Sequence, residues 1–175
     1  MKENQPQFNK KILNIWRYND GKTGHAKQSA ALIVELKKFN RVKVTDFQTN
    51  SSETIRSLLF NHKKQFVNRD EIGPDIIIGA GHQTHIPVLL SKLRFGGKTL
   101  VIMKPSLPYF FFDFCLVPRH DSPPKRKNIL VTGGPFTSVM EPTTQKDPFK
   151  GIFLVGGPNK HLTWSDNKVI SQIFA

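Results

Sequence analysis

The sequence predicts a doubly wound α/β fold built on a mostly parallel sheet. Short strand-like runs, most of them stopped by glycine or proline, alternate with stretches whose apolar residues recur at helical spacing. Two glycine-histidine loops, Asp20-Gly21-Lys22-Thr23-Gly24-His25 and Gly79-Ala80-Gly81-His82-Gln83-Thr84-His85, each follow an apolar run and open a helical stretch. A strand feeding a tight turn and a helix N-terminus gathers unpaired N–H groups and the positive end of the helix dipole. That arrangement suits phosphate, pyrophosphate or carboxylate. Two such loops point to one cleft at the C-terminal edge of a Rossmann-like sheet, with a histidine from each.

The elements follow in order. Residues 11–18 form a first strand, and residues 24–39 a helix with Ala26, Ala30, Ile33, Val34 and Leu36 at helical spacing. Residues 42–47 alternate as a second strand. Residues 52–67 offer Ile55, Leu58, Leu59, Phe66 and Val67 for one helix face, behind a Ser52-Glu53-Thr54 start. The unbroken β-branched run at 74–79 is the pattern of a strand buried on both faces. Residues 84–95 form a helix ended by Gly96-Gly97, and residues 98–104 a strand cut by Pro105. Residues 112–118 and 128–132 are two further short strands.

Residues 1–135 thus form a Rossmann-like N-terminal domain. Residues 136–150, with Pro142, Thr143, Thr144 and Pro148, read as a linker. The strand-to-glycine pattern restarts at Gly151-Ile152-Phe153-Leu154-Val155-Gly156-Gly157-Pro158, and a helix follows over 165–174. One strand and one helix cannot bury a core. Residues 151–175 therefore read as the truncated start of a second α/β domain.

Composition bounds the function classes. Hydrophobic content of 38% and charged content of 22% are globular values, and neither disorder nor a membrane span is implied. Twenty-six Lys and Arg against 13 Asp and Glu give a net charge of +13. Solubility alone accounts for such a charge; an anionic partner, whether nucleic acid, anionic lipid or phosphorylated substrate, is the functional alternative. The basic residues are dispersed, with only Lys125-Arg126-Lys127 forming a compact run, which argues against specific nucleic-acid binding. The single cysteine, Cys115 within Phe114-Cys115-Leu116-Val117, rules out an intrachain disulfide and reads as a buried apolar residue. No apolar stretch reaches the ~20 residues of a membrane span, and residues 1–11 lack a signal-peptide core. The default location is the cytoplasm, with peripheral contact to an anionic membrane as an alternative. The run Tyr109-Phe110-Phe111-Phe112-Asp113-Phe114 is either a packed strand edge or an exposed aromatic surface.

Several familiar motifs fail on spacing. A nucleotide-triphosphate P-loop ending at Gly21-Lys22-Thr23 needs glycine where Trp16 stands. The Gly-x-Gly-x-x-Gly dinucleotide fingerprint is absent from the first loop, so no nicotinamide cofactor is expected. His82 and His85 have a ligand-like spacing but no third partner, and no metal is expected. His25, beside the backbone donors of a helix N-terminus, is the candidate general base, with a structural cap as its alternative role. Lys104 and Ser106, in Lys104-Pro105-Ser106-Leu107-Pro108, and His120 follow later strands and fall on the same sheet edge. The candidate anion-binding set is Asp20, Gly21, Lys22, Thr23, Gly24, Gly79, Gly81, His82, His85, Lys104, Ser106 and His120.

Taken together, Trp16, DGKTGHAKQS (20–29), PDIIIGAGHQTHIP (74–87), GGKTLVIMKPSLP (96–108), FDFCLVPRHD (112–121), NILVTGG (128–134) and VGGPNKHLTW (155–164) resemble the mitochondrial-fission "elongated mitochondria" (ELM) family. The resemblance runs over residues 13–164 and implies a longer protein with a second α/β domain. The family in turn resembles the GT-B glycosyltransferases. That likeness implies a nucleotide-sugar or lipid-linked, phosphate-bearing ligand and His25 as the base that activates an acceptor hydroxyl. It adds Gly156, Gly157 and Lys160 as the start of a donor side. The plant members imply a different class, a non-enzymatic adaptor at a membrane surface; a basic nucleic-acid binder ranks after both. A chain ending at Ala175 is expected to lack transferase activity and to pack its last segment on the first domain or on a second copy.

Overall fold

Leu13–Asn19 (β1) is paired on both sides, and the rest of the sheet grows outward from it. A computed structural model of the chain describes residues 12–49, 73–137, 147–151 and 164–173. The described elements are β1, Thr23–Phe39 (α1), Val42–Gln48 (β2), Ile76–Ala80 (β3), His85–Phe95 (α2), Lys98–Ile102 (β4), Phe114–Pro118 (β5), Ile129–Thr132 (β6) and Asp166–Ile173 (α3). Six strands run in the order β2-β1-β3-β4-β5-β6, and every pair is parallel. The expected doubly wound α/β fold is the observed one.

The two faces separate by strand alternation. Ile15, Ile78, Ile102 and Leu116 point to one side, where Ile33 of α1 packs on them. Trp16, Tyr18, Ile77, Val101, Cys115 and Val117 point to the other, under Val88 of α2. Ile77 and Ile78, one on each face, are both wholly buried, as the unbroken apolar run requires. The Tyr18 hydroxyl lies 2.5 Å from Ser91 Oγ, tying β1 to α2, and burial pushes that phenol up to about 12 despite the bond. Cys115 is fully buried, and desolvation raises its thiol to about 11, which leaves it a packing residue.

Element ends differ from the sequence expectation for local reasons. β4 stops at Ile102 because Met103 adopts φ 77°, in the left-handed region that a β-carbon disfavours. β5 starts two residues late because Tyr109–Phe111 close a 3₁₀ turn. Another 3₁₀ turn, His82–Thr84, precedes α2, with Thr84 Oγ1 donating to Gly81 O at 2.7 Å. The helix expected over 52–67 and the strand expected from 151 lie outside the described residues.

Asp113 staples the lower edge of the sheet. Its carboxylate accepts from Lys92 Nζ at 2.7 Å, Thr99 N at 2.9 Å, Thr99 Oγ1 at 3.0 Å and Lys98 Nζ at 3.2 Å. Partial burial alone would raise its pKa, but these donors outweigh it and hold the carboxyl well below the usual range.

The chain divides into two compact units, Met1–Val139 and Met140–Ala175. In the second, α3 opens with Asp166, whose carboxylate accepts from Trp164 Nε1 at 2.5 Å and favours the helix N-terminus.

Candidate functional site

β1 and β3 are neighbours, yet the chain leaves β1 toward β2 on one side and returns to β3 on the other. A crevice therefore opens between their C-terminal ends, where doubly wound sheets take ligands. Asp20 directly follows β1 and is 5% exposed. A carboxylate so deeply buried must be compensated. One oxygen accepts the Lys22 N–H at 3.1 Å; the other lies 2.8 Å from His25 Nδ1. Because a carboxylate offers only lone pairs, Nδ1 carries the proton and the neutral ring keeps its lone pair on Nε2. The His25 side chain remains 18% exposed, whereas the Asp20 side chain is 0% exposed. The pair is an oriented imidazole with the carboxylate behind its ring.

The second loop closes on this pair. Gly81 sits at φ 89°, and a β-carbon there would run into the His25 ring and approach Asp20 Oδ2 to 2.8 Å. Glycine is needed at 81 both for its backbone angle and for the space. Gly79 serves packing: a β-carbon would meet Val88 Cγ2 at 2.9 Å, beneath α2. Gly21 requires its positive φ of 79°, while a β-carbon on Gly24 would meet nothing within 4 Å. α1 has no side-chain cap, and Thr23 and Gly24 are exposed, so its first-turn N–H groups face solvent. The His25 N–H instead bonds Lys22 O at 3.0 Å.

The other candidates spread along the same edge. His82 is exposed, whereas His85 is 2% exposed and lies 3.1 Å through Nδ1 from Ser106 Oγ, with Phe112 against its ring at 5.4 Å. His85 thus fixes the loop that carries Lys104 and Ser106, both exposed. His120 lies 3.7 Å from Asp121 in its own turn after β5. Three strand spacings separate that end from β1, about 14 Å. Gly156, Gly157 and Lys160 lie outside the described residues, and among those described no cluster of three ligating side chains could hold a metal.

Burial, reinforced by His82, lowers His85 to about 4 from an ordinary 6.5. The neutral ring is favoured in the folded state, so its contribution is full above pH 6.5. It is lost as pH falls toward 4, where the unfolded chain takes the proton first. The loss amounts to up to about 3 kcal/mol. Urea unfolding at pH 7 and pH 4.5 should show that drop, and His85→Asn should be less stable at pH 7 but show a smaller drop.

Three further residues belong to this edge. Gln28 is one turn on from His25; its Nε2 reaches Met103 Sδ at 3.4 Å, and its Oε1 is buried without a partner. Asn19 Oδ1 is likewise buried and unpartnered. Gln28 was visible in sequence as the residue three beyond His25, on the same helix face. Met103 carried no signal, because a left-handed non-glycine residue cannot be read from composition or spacing.

The family model described as Mitochondrial fission ELM1 matches residues 23–175, from the first residue of α1 onward. The chain belongs to this family. As an ELM1-family chain it is also similar to the uncharacterized protein RP120 of Rickettsia prowazekii (strain Madrid E). Identity is 31% over 117 residues, 62% of this chain and 32% of that protein. The matched segment spans about a third of that relative's length. No solved structure matches the chain. Among the described residues, no helix is long and apolar enough to cross a membrane.

Proposed function

We propose that this chain carries the acceptor-side half of a GT-B-like glycosyl-transfer site, binding a phosphate-bearing ligand between the β1 and β3 loops. The observation that carries this proposal is the Asp20–His25 pair seated against Gly81 at the switch point of the sheet. His25 Nε2 takes the proton of an acceptor hydroxyl, whose oxygen then attacks the anomeric carbon of a nucleotide-sugar. The bond from that carbon to the diphosphate breaks, and the leaving diphosphate carries away the electron pair. Asp20 holds the receptive tautomer and stabilises the imidazolium that forms. The open N–H groups of Thr23 and Gly24, and Lys104 farther along the edge, supply the anion contacts. The ligand is a nucleotide-sugar or a lipid-linked phosphate, and the complete reaction belongs to a longer two-domain protein.

Titration of the ¹⁵N-labelled chain with inorganic phosphate and with a nucleotide-sugar should shift the amides of residues 21–25 and 79–83. Shifts confined to Lys125, Arg126 and Lys127 would mean that dispersed basicity, and not a pocket, binds the anion.

A further inference from the structure

We propose that Met103 is a positioning residue for the crevice: its left-handed backbone angle aims Lys104 at the phosphate held between the β1 and β3 loops. Three neighbouring strands leave the sheet through a residue of positive φ. β1 does so at Gly21 (φ 79°), β3 at Gly81 (φ 89°) and β4 at Met103 (φ 77°). Glycine adopts such angles freely, whereas a residue with a β-carbon does not. Of the two non-glycine residues with positive φ, Met103 and Ser122, only Met103 directly follows a strand; Ser122 closes a 3₁₀ turn. Ala80 pairs with Ile102, so Gly81 and Met103 are the next residues on their strands and both chains turn at one level. An angle of this kind persists only where its surroundings over-determine it, and such angles cluster at functional sites.

Met103 is held in three ways. Its N–H donates to Leu116 O at 2.8 Å, its side chain packs on the α1 face of the core, and its sulfur accepts from Gln28 Nε2 at 3.4 Å. Gln28 lies on α1, so the exit of β4 is tied to the helix that carries His25. Past the turn, Pro105 is buried and Ser106 Oγ lies 3.1 Å from His85 Nδ1. Farther on, Phe112 is buried against His85, while Phe110 and Phe111 face solvent.

Lys104 is the exposed residue between these anchored neighbours. Lys92 and Lys98 pair with Asp113, whereas Lys104 has no carboxylate partner among the described residues. β4 is two strand spacings from β1, about 10 Å, and the four-carbon stem of a lysine lets its ammonium reach back over β3. An extended residue 103 would instead carry the chain onward along β4, away from the crevice. A held, unpaired cation at this point faces the open N–H groups of α1 across the crevice and completes an anion site.

This inference rests on the phosphate-binding reading above, and one titration separates the two. Inorganic phosphate added to the ¹⁵N-labelled chain should shift the amides of Met103, Lys104 and Ser106 with the same midpoint as those of residues 21–25. Shifts at 21–25 alone would overturn the role of Met103 and leave the crevice standing; no shift at either place would overturn both. Lys104→Gln, an exposed change that leaves the fold intact, should weaken phosphate binding about tenfold or more, the worth of a charge-assisted hydrogen bond. Met103→Val, whose branched β-carbon excludes the left-handed angle, should produce a loss of the same size. Met103→Gly keeps the angle and should bind within about threefold of the parent. Joined to Met103→Val, Lys104→Gln should add nothing further. Far-UV circular dichroism checks the valine variant, and the glycine and glutamine variants decide the matter if it does not fold. A valine variant that binds like the parent, a glycine variant that loses as much as Lys104→Gln, or losses that multiply in the double variant would each overturn the proposal.

Discussion

Replacing His25 by alanine in a two-domain ELM1-family protein is expected to lower turnover by about 10²–10⁴-fold, the usual contribution of a positioned general base. KM should change little, because the backbone donors of Thr23 and Gly24 remain. Asp20→Asn should produce a loss of similar order without removing the imidazole. An amide can donate to Nδ1 as readily as accept from it, so the ring is no longer held in the tautomer that presents its lone pair at Nε2. Steady-state kinetics of both variants check the roles: kcat should fall in each while KM changes little. Unchanged kcat in both variants would leave the Asp20–His25 pair a structural cap at the start of α1.

Gly81→Ala is expected to destabilise the chain by about 2–5 kcal/mol. A left-handed backbone angle at a residue with a β-carbon costs about 1–2 kcal/mol. Overlap with the His25 ring and Asp20 Oδ2 costs about 1–3 kcal/mol more. Gly24→Ala is the internal comparison. It has open space and no positive φ, and alanine in a helix is favoured over glycine by up to about 1 kcal/mol. Urea unfolding of the two variants should therefore shift the midpoint in opposite directions. A Gly81→Ala variant as stable as the parent would mean that the β1 and β3 loops do not meet.

The sequence carried the layer order well, because each strand announces itself locally. Ile76-Ile77-Ile78 ahead of Gly79, and Leu100-Val101-Ile102 ahead of a proline, are short apolar runs rich in β-branched residues, with breakers after them. Parallel pairing then follows where a helix intervenes, as α1 does between β1 and β2 and α2 between β3 and β4, since a helix between two strands returns the chain in the same direction. Strand ends were less legible. β4 was read through Lys104, but Met103 turns left-handed two residues before Pro105, and nothing local to methionine signals that angle.

Asp20 shows the same limit within the candidate site. As sequence it was one acidic residue in a glycine loop, grouped with Lys22 and Thr23 as an anion contact. Its position behind His25 depends on the path of the turn at Gly21, and the two residues are five apart. His85 is a second case. Local spacing grouped it with His82 among the candidate anion contacts, yet it is buried against Phe112 and bonded to Ser106, a partner 21 residues away.

The sequence by itself determined the α/β class, the two loops and the family, because periodicity, glycine placement and motif blocks are local properties of the chain. Tertiary structure alone decided which histidine is oriented and which is buried, and which glycine is needed for space. It also decided which phenylalanines face water. Each of those depends on distances between segments far apart in sequence, and strand order, rather than residue type, sets such distances.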